Sequence, residues 1–174
     1  DSVRAFFGLR RGGKSLYALD ISNPDAPKYM WTISKGAAGS DFAELGQTWS
    51  TPTLGKMQVG TDILNVLIFA AGFNGDDDGD DLGDLGKDAK NRATRAGTAP
   101  ALGTDDDEGN AIFVVDAATG DLIWKSTLGT SAGYDSASLT LTHTDLLDSV
   151  PSEVSAVDTS GNGLIDRAYF GDTG

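Results

Sequence analysis

Ala111-Ile-Phe-Val-Val-Asp-Ala-Ala-Thr-Gly-Asp-Leu-Ile-Trp124 sets the reading of the whole chain. A β-branched and aromatic run ends on Asp116, a tight turn follows at Thr119-Gly120, and a second strand-like run returns to Trp124. Glycine supplies the positive φ such a turn needs, and Asp and Thr tolerate it by bonding their own backbone. The same order of signals stands upstream, where Ser15-Leu-Tyr-Ala-Leu-Asp20 leads to Trp31. A second pair also matches: Thr51-Pro-Thr-Leu54 leading to Val66-Leu-Ile-Phe-Ala-Ala-Gly72, and Val150-Pro-Ser-Glu-Val154 leading to Arg167-Ala-Tyr-Phe-Gly171. The offsets are 96 residues between the aspartates, 93 between the tryptophans and 99 between Pro52 and Pro151. One unit is therefore repeated, with insertions.

The unit is built of strands. Residues 51–128 predict four, around 53–58, 64–71, 111–116 and 122–128, and helical periodicity is nearly absent. Four antiparallel strands per repeat is the content of a propeller blade. The segment before this unit supplies the last three strands of a blade, and the segment after it the first two. The expected fold class is all-β: a partial β-propeller of four-stranded antiparallel blades, two to three of them present, with residues 1–174 forming part of one propeller domain. Nine strands are too few to close a ring of four-stranded blades, so the chain is expected to be a piece of something larger. A β-sandwich is the other architecture nine strands could build.

The chain has 174 residues and a net charge of −13, with a pI near 4.2. That charge repels phosphate backbones and anionic membrane surfaces, so nucleic acid is excluded as a partner class and divalent cations are favoured. Zero cysteines exclude disulfides, thiolate catalysis, Cys-ligated zinc and iron–sulfur clusters. The longest apolar run, Val66–Ala71, is far below the roughly 20 residues of a transmembrane helix. No export leader is recognisable at Asp1, so any such signal is expected to have been removed or to lie outside this sequence.

Residues 74–110 interrupt the complete unit with an acidic insertion that carries 11 acids against four bases. Leu82, Leu85, Ala89 and Ala93 hint at a helix there. A stretch of this length within a compact domain is functional or mobile.

The strongest chemical signal is Asp158-Thr-Ser-Gly-Asn-Gly-Leu-Ile-Asp166. Oxygen-bearing side chains fall at positions 1, 3, 5 and 9 (Asp158, Ser160, Asn162, Asp166), glycine is at position 6 (Gly163), and position 7 (Leu164) can offer its carbonyl. Calcium takes six to eight oxygens, and alternate residues of a sharply turned loop converge on one point. Position 12 of a helical calcium loop is Glu, but here it is Tyr169 within a predicted strand. The expectation is a compact Ca²⁺ loop joining two strands, with Asp166 closing the cage and an affinity on the order of 10⁻⁵ to 10⁻³ M. An Asp-, Ser- and Gly-rich hairpin turn is the purely structural alternative.

Asn74-Gly-Asp-Asp-Asp-Gly-Asp80 has a similar start but Leu82 and Leu85 at positions 9 and 12; Asp105, Asp106, Asp107 or Glu108 would have to complete it. The turn at Thr119-Gly120 with Trp124 is read as blade packing, similar to the tryptophan-docking repeat of quinoprotein propellers. His143, the only histidine, is expected on a hairpin or surface. Gly8–Gly13 lacks a Gly-Lys-Ser/Thr ending and is read as a hairpin turn. No catalytic constellation is assembled by these residues.

Gly8-Leu-Arg-Arg-Gly-Gly-Lys-Ser-Leu-Tyr-Ala-Leu-Asp20, Glu44-Leu-Gly-Gln-Thr-Trp-Ser-Thr-Pro52, Phe113-Val-Val-Asp-Ala-Ala-Thr-Gly120, and the calcium loop running into Tyr169-Phe-Gly-Asp-Thr-Gly174 resemble the carboxy-terminal propeller of PilY-type tip proteins of bacterial type IV pili. The resemblance covers nearly the whole chain in order, omitting 74–110. It implies a seven-bladed, modified quinoprotein-like propeller that is exported to the cell surface or pilus tip, passing the periplasm or outer membrane in transit. It implies a non-enzymatic role in pilus biogenesis, retraction control and adhesion, with pilus subunits (minor pilins) and host or abiotic surfaces as partners. It also implies one Ca²⁺ on Asp158, Ser160, Asn162, the Leu164 carbonyl and Asp166. No Arg-Gly-Asp tripeptide occurs, so integrin contact does not carry over. The competing class is a quinone-dependent dehydrogenase on the same kind of propeller, for which no quinone-stacking pair is identifiable.

Overall fold

The computed structural model describes residues 2–74 and 108–173. The described residues form eleven strands and no helix. Sheet one has the order β1-β2-β3, from Arg4–Gly8, Ser15–Asp20 and Lys28–Ser34, all antiparallel. Sheet two has the order β4-β5-β6-β7-β9-β8, from Thr53–Val59, Asp62–Ala70, Ala111–Asp116, Leu122–Leu128, Thr140–His143 and Gly133–Asp135. Sheet three is the hairpin β10–β11, from Ser155–Val157 and Arg167–Tyr169.

The central pair β5 and β6 explains the stacking of these sheets. Successive side chains of a strand point to opposite faces, so a strand buried on both sides reads as an unbroken apolar run. Leu67, Phe69, Ala71, Phe113 and Val115 face a first core that also holds Leu16, Ala18, Trp31 and Ile33 of sheet one. Val66, Ile68, Ala70, Ile112 and Val114 face a second core with Leu146, Val150 and Val154, flanked by Trp124, Ala156 and Ile165. Sheet two is thus sandwiched between two apolar layers. Phe113 is fully buried, with Phe42 and Phe69 ring centroids at 5.2 and 5.5 Å.

The contact between sheets one and two follows the repeated motif. Gly120 has φ +80°, and a Cβ built there would lie 2.9 Å from the Trp31 ring, so the turn must be glycine for the indole to lie on it. Trp31 Nε1 donates to the Ala117 carbonyl at 3.4 Å. Trp31 therefore docks on the turn of the next repeat. Trp124, its counterpart, is half-buried on the opposite side of sheet two, against the second core.

The four strands expected for residues 51–128 are β4 to β7, and the three before and two after are also present. The four-stranded blade is corrected, however, because β8 and β9 extend it to six. β9 runs parallel to β7, with Lys125 opposite Thr140 and Leu128 opposite His143. An edge strand exposes unpaired N–H and C=O groups, and the 129–143 segment folds back to satisfy them. The joint is closed by Gly129 N–H to His143 O at 2.9 Å and Lys125 N–H to Leu139 O at 3.0 Å. Among the described residues no sheet closes on itself. Residues 75–107, which include most of the acidic insertion and of the second acidic motif, lie outside the described residues.

Candidate metal centre

The predicted loop 158–166 is the connection of the β10–β11 hairpin, whose last ladder pair is Val157 and Arg167. Gly161 and Gly163 both take positive φ, +73° and +84°, which folds the connection into little space. Asp158 is the hub of the turn. Its Oδ1 accepts from Gly161 N–H at 2.7 Å, Ser160 Oγ at 3.1 Å and Asn162 N–H at 3.3 Å, and its Oδ2 accepts from Gly163 N–H at 2.6 Å. Asn162 Oδ1 accepts from Leu164 N–H at 2.9 Å. Across the loop, Asp166 accepts from Thr159 N–H at 3.0 Å and from the Thr159 hydroxyl at 2.9 Å.

These bonds act on the acidity of both carboxyls. The Gly163 N–H, followed by Gly161, Ser160 and Asn162, holds Asp158 below the usual carboxylate range against some opposing desolvation. The Thr159 N–H and hydroxyl do the same for Asp166; Arg167 adds to it, and the negative charge of Asp158 works against it. Both groups are therefore anionic at neutral pH. The five predicted ligand residues lie within one nine-residue hairpin connection, where two carboxylates, a hydroxyl, an amide oxygen and a main-chain carbonyl are available. This all-oxygen set suits a hard cation such as Ca²⁺, with water completing six to eight ligands. Among the described residues no group of three or more His, Asp or Glu gathers anywhere, and this loop too has only two acids.

The loop stands at the edge of an apolar groove of 410 Å³. Met57, Ile68, Val114 and Trp124 line it from sheet two, and Ile165, Asp166 and Arg167 from the hairpin.

The other residues that the sequence singles out are placed differently. Glu108, considered as a distant ligand for the 74–80 motif, is fully buried and clamped by Lys14 Nζ at 2.8 Å and by Lys35 Nζ. It serves to tie sheet one to the end of the insertion, and its carboxylate is committed to two ammonium groups. Of the 74–80 motif only Asn74 is described, and it is buried. His143 is exposed at the end of β9. Gly8–Gly13 joins β1 to β2, where Gly13 N–H donates to Arg10 O at 3.3 Å.

Two features escape a reading of the sequence. Lys125 is 8% exposed, and its ammonium contacts both Glu44 oxygens at 3.0 and 3.1 Å and the Asp41 carbonyl at 3.2 Å. A lysine directly after the apolar run Leu122-Ile-Trp124 of a strand was the available signal. The groove had none, because its walls come from strands distant in sequence.

The chain is similar to the crystal structure of the Pseudomonas aeruginosa PilY1 C-terminal domain, with a TM-score of 0.56 and 20% sequence identity over 99% of this chain. The chain shares the fold of a part of that structure. It spans 28% of the PilY1 chain's length, so the likeness concerns one part of the larger structure. The likeness in fold is consistent with the resemblance that the four sequence motifs carry. No family model and no curated protein matches the chain. No helix long and apolar enough to cross a membrane occurs among the described residues.

Proposed function

We propose that this chain is a calcium-binding, non-enzymatic part of a type IV pilus-associated protein, in which residues 1–174 belong to one propeller domain and the three stacked sheets are successive blades. The observation that carries the reading is the 158–166 loop, a compact all-oxygen turn beside an apolar groove in a fold shared with the PilY1 C-terminal domain. Asp158 and Asp166 would supply the charge, Ser160 and Asn162 neutral side-chain oxygens, and Leu164 its carbonyl. Bound Ca²⁺ would supply two positive charges to offset the two carboxylates. The hairpin between those carboxylates would then be held in one shape, with Asp166 and Arg167 fixed at the groove. Pilus subunits, or a host or abiotic surface, would recognise that ordered face at the exported cell surface or pilus tip. Loss of the metal would leave the two carboxylates without a compensating cation and loosen the loop.

Calcium titration by calorimetry of the wild type and Asp158→Ala tests the reading. Saturable heat in the wild type with a Kd on the order of 10⁻⁵ to 10⁻³ M, lost in the variant, is expected. Equal heats from both would overturn it.

A further inference from the structure

The side-chain bonds of Asp158, Ser160 and Asn162 close within the loop, and Thr159 to Gly163 are exposed. The loop is tied to sheet two at Ile165. Its N–H donates to the Lys56 carbonyl of β4 at 2.8 Å, and its side chain packs against the second core. Opposite it stands Gly55, in the middle of β4. Gly55 is not at a positive φ, so its backbone does not require glycine. Its reason is space: a Cβ there would lie 2.0 Å from Ile165 Cδ1 and 3.0 Å from Cγ1.

The bonded peptide is also the one that carries the Leu164 carbonyl. A trans peptide is planar, and its C=O points opposite to its N–H. Holding the Ile165 N–H on β4 therefore turns the Leu164 oxygen away from β4. Asp166 follows immediately, and its N–H donates to Val157 O at 3.1 Å. Both residues flanking Ile165 are proposed ligands, so their positions depend on where Ile165 sits.

We propose that Ile165, seated in the space left by Gly55, is a positioning residue that presets the calcium loop, an inference that rests on the calcium reading above. Seating selects the binding-competent form of the loop, and apparent affinity falls by the fraction of molecules in which the seat is empty. By linkage, calcium in turn tightens the hairpin on the groove by the same factor.

The test is calcium calorimetry on the 174-residue chain carrying Gly55→Val, Ile165→Ala or Ile165→Val, with folding in chelator checked by circular dichroism. Gly55→Val touches no ligand, yet it and Ile165→Ala are expected to raise Kd about fivefold or more, while Ile165→Val stays near wild type. Calcium is also expected to slow hydrogen exchange at the Ile165 amide in the wild type and not in Gly55→Val. Should Gly55→Val fail to fold, Ile165→Ala, which removes atoms, carries the test. Wild-type affinity in folded Ile165→Ala and Gly55→Val would overturn the positioning role and leave the calcium reading standing. Equal heats from wild type and Asp158→Ala would instead remove the calcium reading, and the positioning role with it.

Discussion

Glu108→Ala gives a direct measure of what joins the first two sheets. The Glu108 carboxylate is fully buried between Lys14, in the turn before β2, and Lys35, just after β3, with Lys14 Nζ 2.8 Å away. Removing one member of a buried ion pair costs about 3–5 kcal/mol, because the remaining charge is left without compensation. Here the two lysine side chains stay 25% and 31% exposed and can turn toward water, which places the loss near the lower end, about 3 kcal/mol. For a chain of this length each kcal/mol moves Tm by about 2–4 °C, so Tm should fall by about 6–12 °C. Thermal and urea unfolding followed by circular dichroism read this directly. Glu108→Gln keeps an acceptor oxygen and should lose clearly less. A double-mutant cycle with Lys35→Met should return a coupling of at least about 1 kcal/mol. If Glu108→Ala unfolds within about 0.5 kcal/mol of wild type, the carboxylate does not clamp the sheets and the reasoning fails.

Phe113→Ala empties the centre of the first core between Phe42 and Phe69 and should cost about 3–5 kcal/mol in urea unfolding. Gly72→Ala should yield little soluble protein or lose about 3 kcal/mol or more, because Gly72 has φ +97° and a Cβ there would meet the Gln47 carbonyl at 1.9 Å. Asp158 and Asp166 have folded-state pKa values below the ordinary 3.8, so the order they give the metal-free loop is fully present above that pH and lost as pH falls through the lowered values. An NMR titration of the two carboxyl carbons should show both midpoints below 3.8, and midpoints at or above it would contradict the hydrogen bonds described. Calcium should raise the chelator-state Tm of the wild type and leave that of Asp158→Ala unchanged, since only a ligand that binds the folded form stabilises it.

Where local pattern and tertiary role coincide, the chain was readable in advance. The four strands of residues 51–128 lie within about two residues of their expected places, because β5 and β6 are buried on both faces and their apolar runs are unbroken. The 158–166 hairpin loop was equally plain, since its oxygens and glycines lie within nine residues and turn chemistry is local. β8 and β9 were not. Gly133–Asp135 is exposed at every position, and Thr140–His143 is held by parallel pairing to β7, a partner that no short-range pattern announces.

The sequence alone determined an all-β chain of repeated strand units, the tight turn at Thr119-Gly120, and a hairpin loop rich in side-chain oxygens. Each of these rests on side-chain period or turn conformation, which neighbours in sequence decide. Only the tertiary structure decided that Glu108 is spent on two lysines, that Lys125 is buried against Glu44, and that Ile165 sits where Gly55 has no side chain. Those contacts join residues 73 to 110 positions apart, and burial at such distances is set by how whole sheets stack.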